Sequence, residues 1–109
     1  MVLNKRKGYR VERKIRLKLE AKGWKVVRAG ASIGEADLIC IKNKKCILLQ
    51  IKSTAKKKFY YYGFQKKLLE GFPFYLVVDF GYGKIRILPP TSKVIVTDGH
   101  DFEEFLEDF

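Results

Sequence analysis

The residues best suited to chemistry in this chain are Glu12, Asp37, Gln50 and Lys52; in Gln50-Ile51-Lys52 an oxygen donor and an ammonium lie two positions apart. Carboxylate and amide oxygens hold hard divalent ions such as Mg²⁺. A lysine beside them can orient an attacking water or offset charge growing on a phosphate. Metal-assisted phosphodiester cleavage needs this equipment. His100 is the only histidine, so neither a histidine-based metal centre nor a Ser-His-Asp triad is on offer.

Asp37 and Gln50 fall on two expected strands, Glu35–Ile41 and Cys46–Ser53, joined by the polar turn Lys42-Asn43-Lys44-Lys45. Pairing Ile41 with Cys46 sets Asp37 opposite Gln50 and Glu35 opposite Lys52. All four then share one face, because side chains alternate along a strand and paired residues project together. The same register puts Cys46 on the Asp37 face and Cys40 on the other. Free thiols in a reducing compartment follow.

Glu12 belongs to a helix over residues 6–22, where Val11, Ile15 and Leu19 form an apolar stripe and Gly23 supplies the stop. It lies on or beside the buried face, where a carboxylate is costly unless paired or bound to metal. Trp24–Arg28 reads as a strand, followed by the loop 29–34. A basic, aromatic stretch, Lys56-Lys57-Lys58 and Phe59–Phe64, leads into a second helix from about Tyr61 to Gly71. Phe74–Phe80 and Lys84–Leu88 read as strands, and Val94–Val96 as a short edge strand. Tyr60, Tyr61 and Tyr62 have three uses open to them: stacking on bases, a subunit contact, or packing of the second helix.

A chain of 109 residues makes one domain. All 23 Lys and Arg lie within residues 1–93 together with six of the 12 acids, a net +17 there against −6 over residues 98–109. A body this basic predicts a polyanionic partner, ahead of a merely solvated lysine-rich surface or a membrane surface. No apolar run suits a membrane span, no leader pattern is present, and an intracellular, cytoplasmic protein is expected. We divide the chain into a nuclease domain, residues 1–97, and an acidic C-terminal tail or short helix, residues 98–109. In that segment Phe102, Phe105, Leu106 and Phe109 have helical spacing. A docked terminal helix, a partner-binding tail and an electrostatic cover over the DNA face are its three readings.

The order helix, three strands, helix, two strands (αβββαββ) resembles the PD-(D/E)XK nuclease superfamily, an α/β restriction-endonuclease-like core with a mixed sheet flanked by helices. Within it the chain is similar to archaeal and archaeal-virus Holliday-junction resolvases. The motifs are Lys7-Gly8, Glu12-Arg13, Gly23 to Arg28 leading to Ser32, Asp37-Leu38-Ile39 and Gln50-Ile51-Lys52-Ser53-Thr54, over residues 7–88. The resemblance implies a homodimer cutting four-way DNA junctions with Mg²⁺, Mn²⁺ being able to substitute. It implies metal ligands at Glu12, Asp37, Gln50 and the Ile51 carbonyl, with Lys52 at the water or phosphate and Ser32 near the scissile phosphate. Phosphate contacts are expected from Lys5, Arg6, Lys7, Arg10, Arg13, Ser32, Lys56, Lys57 and Lys58. One departure stands out: the family's usual glutamate is Gln50, a neutral ligand that cannot serve as a base. Glu35 is the candidate auxiliary carboxylate, or else an ion-pair partner for Lys52. A restriction- or repair-type nuclease and a catalytically silent DNA-binding protein are the alternatives.

Overall fold

The computed structural model describes residues 2–29, 36–61 and 72–108, with side chains from residue 8 onward. Helix α1 runs Val2–Ala21. Val11, Ile15 and Leu19 point into the core, as their four-residue spacing requires. Gly23, at φ 92°, closes the helix. Its N–H donates to Glu20 O and that of Trp24 to Leu19 O, the paired bonds of a Schellman motif.

Strands β1 (Lys25–Arg28), β2 (Leu38–Lys42) and β3 (Lys45–Ser53) form an antiparallel meander. Asn43 and Lys44, both at positive φ, make the two-residue turn between β2 and β3, the backbone that a tight hairpin demands. The expected register holds: Ile41 pairs with Cys46 and Leu38 with Leu49. Cys40 is buried, Cys46 is half-buried, and both thiols are free. Burial, with some repulsion from Cys46, pushes the Cys40 thiol up to about 12.

Next come β4 (Lys58–Tyr60), β5 (Phe74–Asp79), β6 (Ile85–Leu88), β7 (Lys93–Ile95), β8 (His100–Asp101) and helix α2 (Phe102–Glu107). The main sheet has the order β1-β2-β3-β5-β6-β8. Among the described residues only β3 and β5 pair in parallel, so the sheet is mixed, as expected. The start of the basic, aromatic stretch forms β4, which pairs with β7 in a separate two-stranded ribbon. The expected second helix falls on residues 62–71, outside the described residues.

One core lies between the sheet and the two helices: Val11, Ile15, Leu19, Trp24, Leu38, Leu49 and Val77 meet Phe102, Phe105 and Leu106. The other face carries Leu76, Val78 and Leu88 against Tyr61 and Val94, so the β4–β7 ribbon covers that side. Trp24 is 3% exposed, and the Lys42 ammonium lies 5.9 Å from its ring centroid. Gly99 is where the chain crosses β6; a Cβ there would stand 2.5 Å from the Ile87 carbonyl oxygen. Asp101 caps α2 by accepting from the Glu104 N–H. Burying the three apolar side chains of α2 contributes roughly 1.5–3 kcal/mol each. Among the described residues no helix is long and apolar enough to cross a membrane.

Candidate active site

The candidate site lies where β2 stops and β3 runs on. Leu38 pairs with Leu49, yet the Asp37 N–H also donates to the Leu49 carbonyl, at 2.7 Å. Two residues therefore face one, the arrangement of a β-bulge, which re-aims a side chain at a sheet edge. Continuing the hairpin register would set Asp37 squarely opposite Gln50; the bulge corrects that expectation. The Asp37 carboxylate instead turns into the line of the ladder, where Oδ2 accepts the Ile51 N–H at 2.7 Å. It takes the place of the carbonyl that a longer β2 would have offered. Along a strand a residue's N–H and C=O leave on the same side, so the Ile51 carbonyl points off the same edge.

Gln50 is 6% exposed and sits beside Leu76 on the face carrying the ribbon. Lys52 follows on that face, its ammonium 5.8 Å from the Tyr61 ring centroid. Burial holds the Asp37 carboxyl above the usual carboxylate range. The Ile51 N–H, then Lys52, then Arg28 pull against that rise.

Glu12 reaches the same neighbourhood from α1. Its side chain is 16% exposed, and Oε2 accepts from Arg28 Nε at 2.9 Å. Arg28 also lies 5.6 Å from the centroid of the Tyr9 ring. Arg28 is thus in reach of Glu12 and acts on Asp37, linking two carboxylates 25 residues apart in sequence. Its part was not legible from residue type: it depends on the pairing of β1 with β2, where Arg28 faces Leu38 beside Asp37. Tyr61, which flanks Lys52, is likewise a tertiary addition.

Of the expected phosphate-contacting residues, Arg10 and Arg13 are exposed on α1, and Lys56, Lys57 and Lys58 are exposed on and before β4. The Lys93 ammonium of β7 lies over Tyr60 and extends that basic ribbon. Ser32 and Glu35 lie outside the described residues, as do the side chains of Lys5, Arg6 and Lys7. The possible ligands are the Glu12 and Asp37 carboxylates, the Gln50 amide oxygen and the Ile51 carbonyl, all hard oxygen donors suited to Mg²⁺ or Mn²⁺. Among the described residues no group of three or more His, Cys, Asp and Glu side chains comes together.

Comparison with known proteins adds two findings. The family model for archaeal Holliday junction resolvases (Hjc) matches residues 3–73. A crystal structure of Archaeoglobus fulgidus Hjc, described as a Holliday junction resolvase from an archaeal hyperthermophile, superposes with a TM-score of 0.77 at 19% identity, covering 94% of this chain and 98% of that one. No curated protein matches the chain.

Proposed function

This chain belongs to the archaeal Holliday junction resolvase family, and we propose that it resolves four-way DNA junctions through a Mg²⁺-dependent site built on Glu12, Asp37, Gln50, Ile51 and Lys52. Its class is that of a structure-selective junction endonuclease of DNA recombination and repair, in a family that depends on divalent metal. The observation that carries the site assignment is the bulge at Asp37. It brings an acid, a backbone carbonyl and a lysine to one strand end at the edge of a strongly basic protein.

In this reading Glu12, Asp37, the Gln50 amide and the Ile51 carbonyl hold the metal. The ion, when bound, supplies positive charge at the scissile phosphate and lowers the pKa of water. Asp37 is oriented for this by the Ile51 N–H, which leaves its second oxygen, Oδ1, for other ligands. Lys52 is kept beside Tyr61, where its ammonium can position the attacking water or offset charge on the phosphate. Arg10, Arg13 and the Lys56–Lys58 ribbon, with Lys5, Arg6, Lys7 and Ser32, supply phosphate contacts that set the register of the duplex arms.

Resolution takes two cuts related by a two-fold axis, and one chain carries one site, so a C2 homodimer completes the proposal. Tyr60, 47% exposed on the ribbon, is a candidate contact. Sedimentation at micromolar concentration should give a dimer.

The deciding experiment compares a synthetic four-way junction with linear duplex of the same sequence, with and without Mg²⁺ or Mn²⁺. Paired nicks in the junction alone, and only with metal, are expected. Equal cutting of the duplex would mean a restriction- or repair-type nuclease. Gln50 favours one second reading, a silent DNA-binding protein, and tight junction binding without cleavage under either metal would establish it.

A further inference from the structure

Glu12 has two claimants. If it is a metal ligand, as the proposed function holds, one of its oxygens is already engaged by Arg28 Nε at 2.9 Å. A charge-assisted contact of this kind is about twice as strong as a neutral hydrogen bond. Moreover, the acid is largely sheltered, 16% exposed, whereas Arg28 is 56% exposed. Leaving Glu12 there without a cation would strand a charge in poor contact with water.

Arg28 also has somewhere else to go. Its guanidinium carbon already lies 5.6 Å from the Tyr9 ring centroid, and Tyr9 is itself half exposed. Tyr9 and Glu12 are three residues apart on α1, hence neighbours on the same helix surface. Aromatic faces attract guanidinium groups without fixing a proton or a bidentate geometry. The arginine can thus release the carboxylate while staying seated on α1.

We propose that Arg28 is a built-in counter-cation that holds Glu12 in the metal-free site and competes with the divalent ion for that carboxylate. It is a positioning residue. It keeps Glu12 in place and inward-facing until a doubly charged ion displaces the guanidinium toward Tyr9. Ion binding must include the work of breaking the Glu12–Arg28 contact, so the contact weakens apparent metal affinity. The inference rests on the metal reading of Glu12 and Asp37 given above.

The test is Mn²⁺ binding to the DNA-free protein, followed by the electron paramagnetic resonance signal of the free ion. Arg28→Gln should tighten Mn²⁺ binding about tenfold, whereas Arg28→Lys, which keeps the charge, should stay within about threefold of wild type. In a Glu12→Gln background, Arg28→Gln should gain less than about threefold, because the contact it relieves is gone. Equal gains in the two backgrounds would reduce Arg28 to a distant repulsive charge and overturn the proposal. Unchanged or weaker binding by Arg28→Gln would also overturn it. Wild-type binding that Asp37→Asn abolishes and Arg28→Gln leaves unchanged would sink this inference alone. No Mn²⁺ binding by any variant would remove the metal reading and this inference together.

Discussion

Helix α1 has two flanks, and they use charge in opposite ways. On the flank facing β5 and α2, Lys14, Lys18 and Lys22 recur every four residues and meet Asp79, Glu103 and Glu107 in turn. Each acid there has a lysine. Asp79, although 4% exposed, also accepts the Gly81 N–H, so its burial is matched by partners. Across the helix, Glu12 is held by an exposed arginine, Asp37 carries a raised pKa, and a buried amide stands at position 50. The first flank is a fastener. The second gathers oxygen donors, one of which, Asp37, burial holds above the usual carboxylate range, the kind of local inconsistency that marks a functional site.

The sharpest way to break this contrast is Asp37→Asn. Junction cleavage should fall by at least about 10³-fold, several kcal/mol of transition-state stabilisation. Junction binding by gel shift should stay within a few-fold, because phosphate contacts come from elsewhere. Parallel loss of binding in a folded variant would take Asp37 out of the chemistry. On the fastening flank, Phe102→Ala should cost about 3–5 kcal/mol of stability by denaturant unfolding, through the cavity left in a fully buried position. Should that variant instead keep its stability and bind DNA more tightly at low salt, the acidic segment would be a cover over the DNA face.

Gln50→Glu tests how far the site tolerates more charge. A carboxylate in that buried position should lower the Tm of the metal-free protein by about 5 °C or more. Mn²⁺ should then raise Tm further than it does in wild type, and cleavage at low metal should be kept or increased. Failure of Mn²⁺ to restore the variant would mean that residue 50 does not face the ion.

A smaller effect follows from the raised pKa of Asp37. The folded chain prefers the protonated acid, so this group supports the fold below the ordinary carboxylate pKa of about 3.9. That support is lost as pH rises through the raised folded value. Hence Asp37→Asn, expected to abolish cleavage, should raise the metal-free Tm at neutral pH, and the gain should vanish near pH ~3. The smallest effect belongs to Lys18→Met, which breaks the exposed pair with Glu103 and should cost no more than about 1 kcal/mol. A larger loss would make these pairs more than surface ornament on the helix contact.

Much of this was legible in the sequence because it depends on local periodicity. The stripe Val11, Ile15, Leu19 gave α1 its buried face, and a two-residue turn at Asn43-Lys44 fixed the β2–β3 register through Leu38. Legibility failed where a tertiary event intervened. The bulge breaks the ladder at Asp37, inside the candidate site itself, and no alternation rule foresees it. Strand β4 was not foreseen because the Lys56–Lys58 run shows no alternation of apolar and polar residues, and its partner β7 is 35 residues away. Likewise, the Glu12–Arg28 contact needs α1 laid across β1, which spacing alone does not supply. The helical spacing of Phe102, Phe105 and Leu106 was plain; that these side chains complete the main core was one of several open readings.

Trp24, the only tryptophan, is packed beneath Lys42 just past the end of α1. Glu12 is eight or more helical residues away, on the order of 12–15 Å at 1.5 Å per residue. The chain thereby carries its own optical probe at a distance from the chemistry. Its emission should shift to longer wavelength when α1 leaves the sheet, and should hold steady while metal fills the opposite end. One unlabelled sample, titrated first with Mn²⁺ and then with denaturant, therefore separates ligand uptake from unfolding by colour alone.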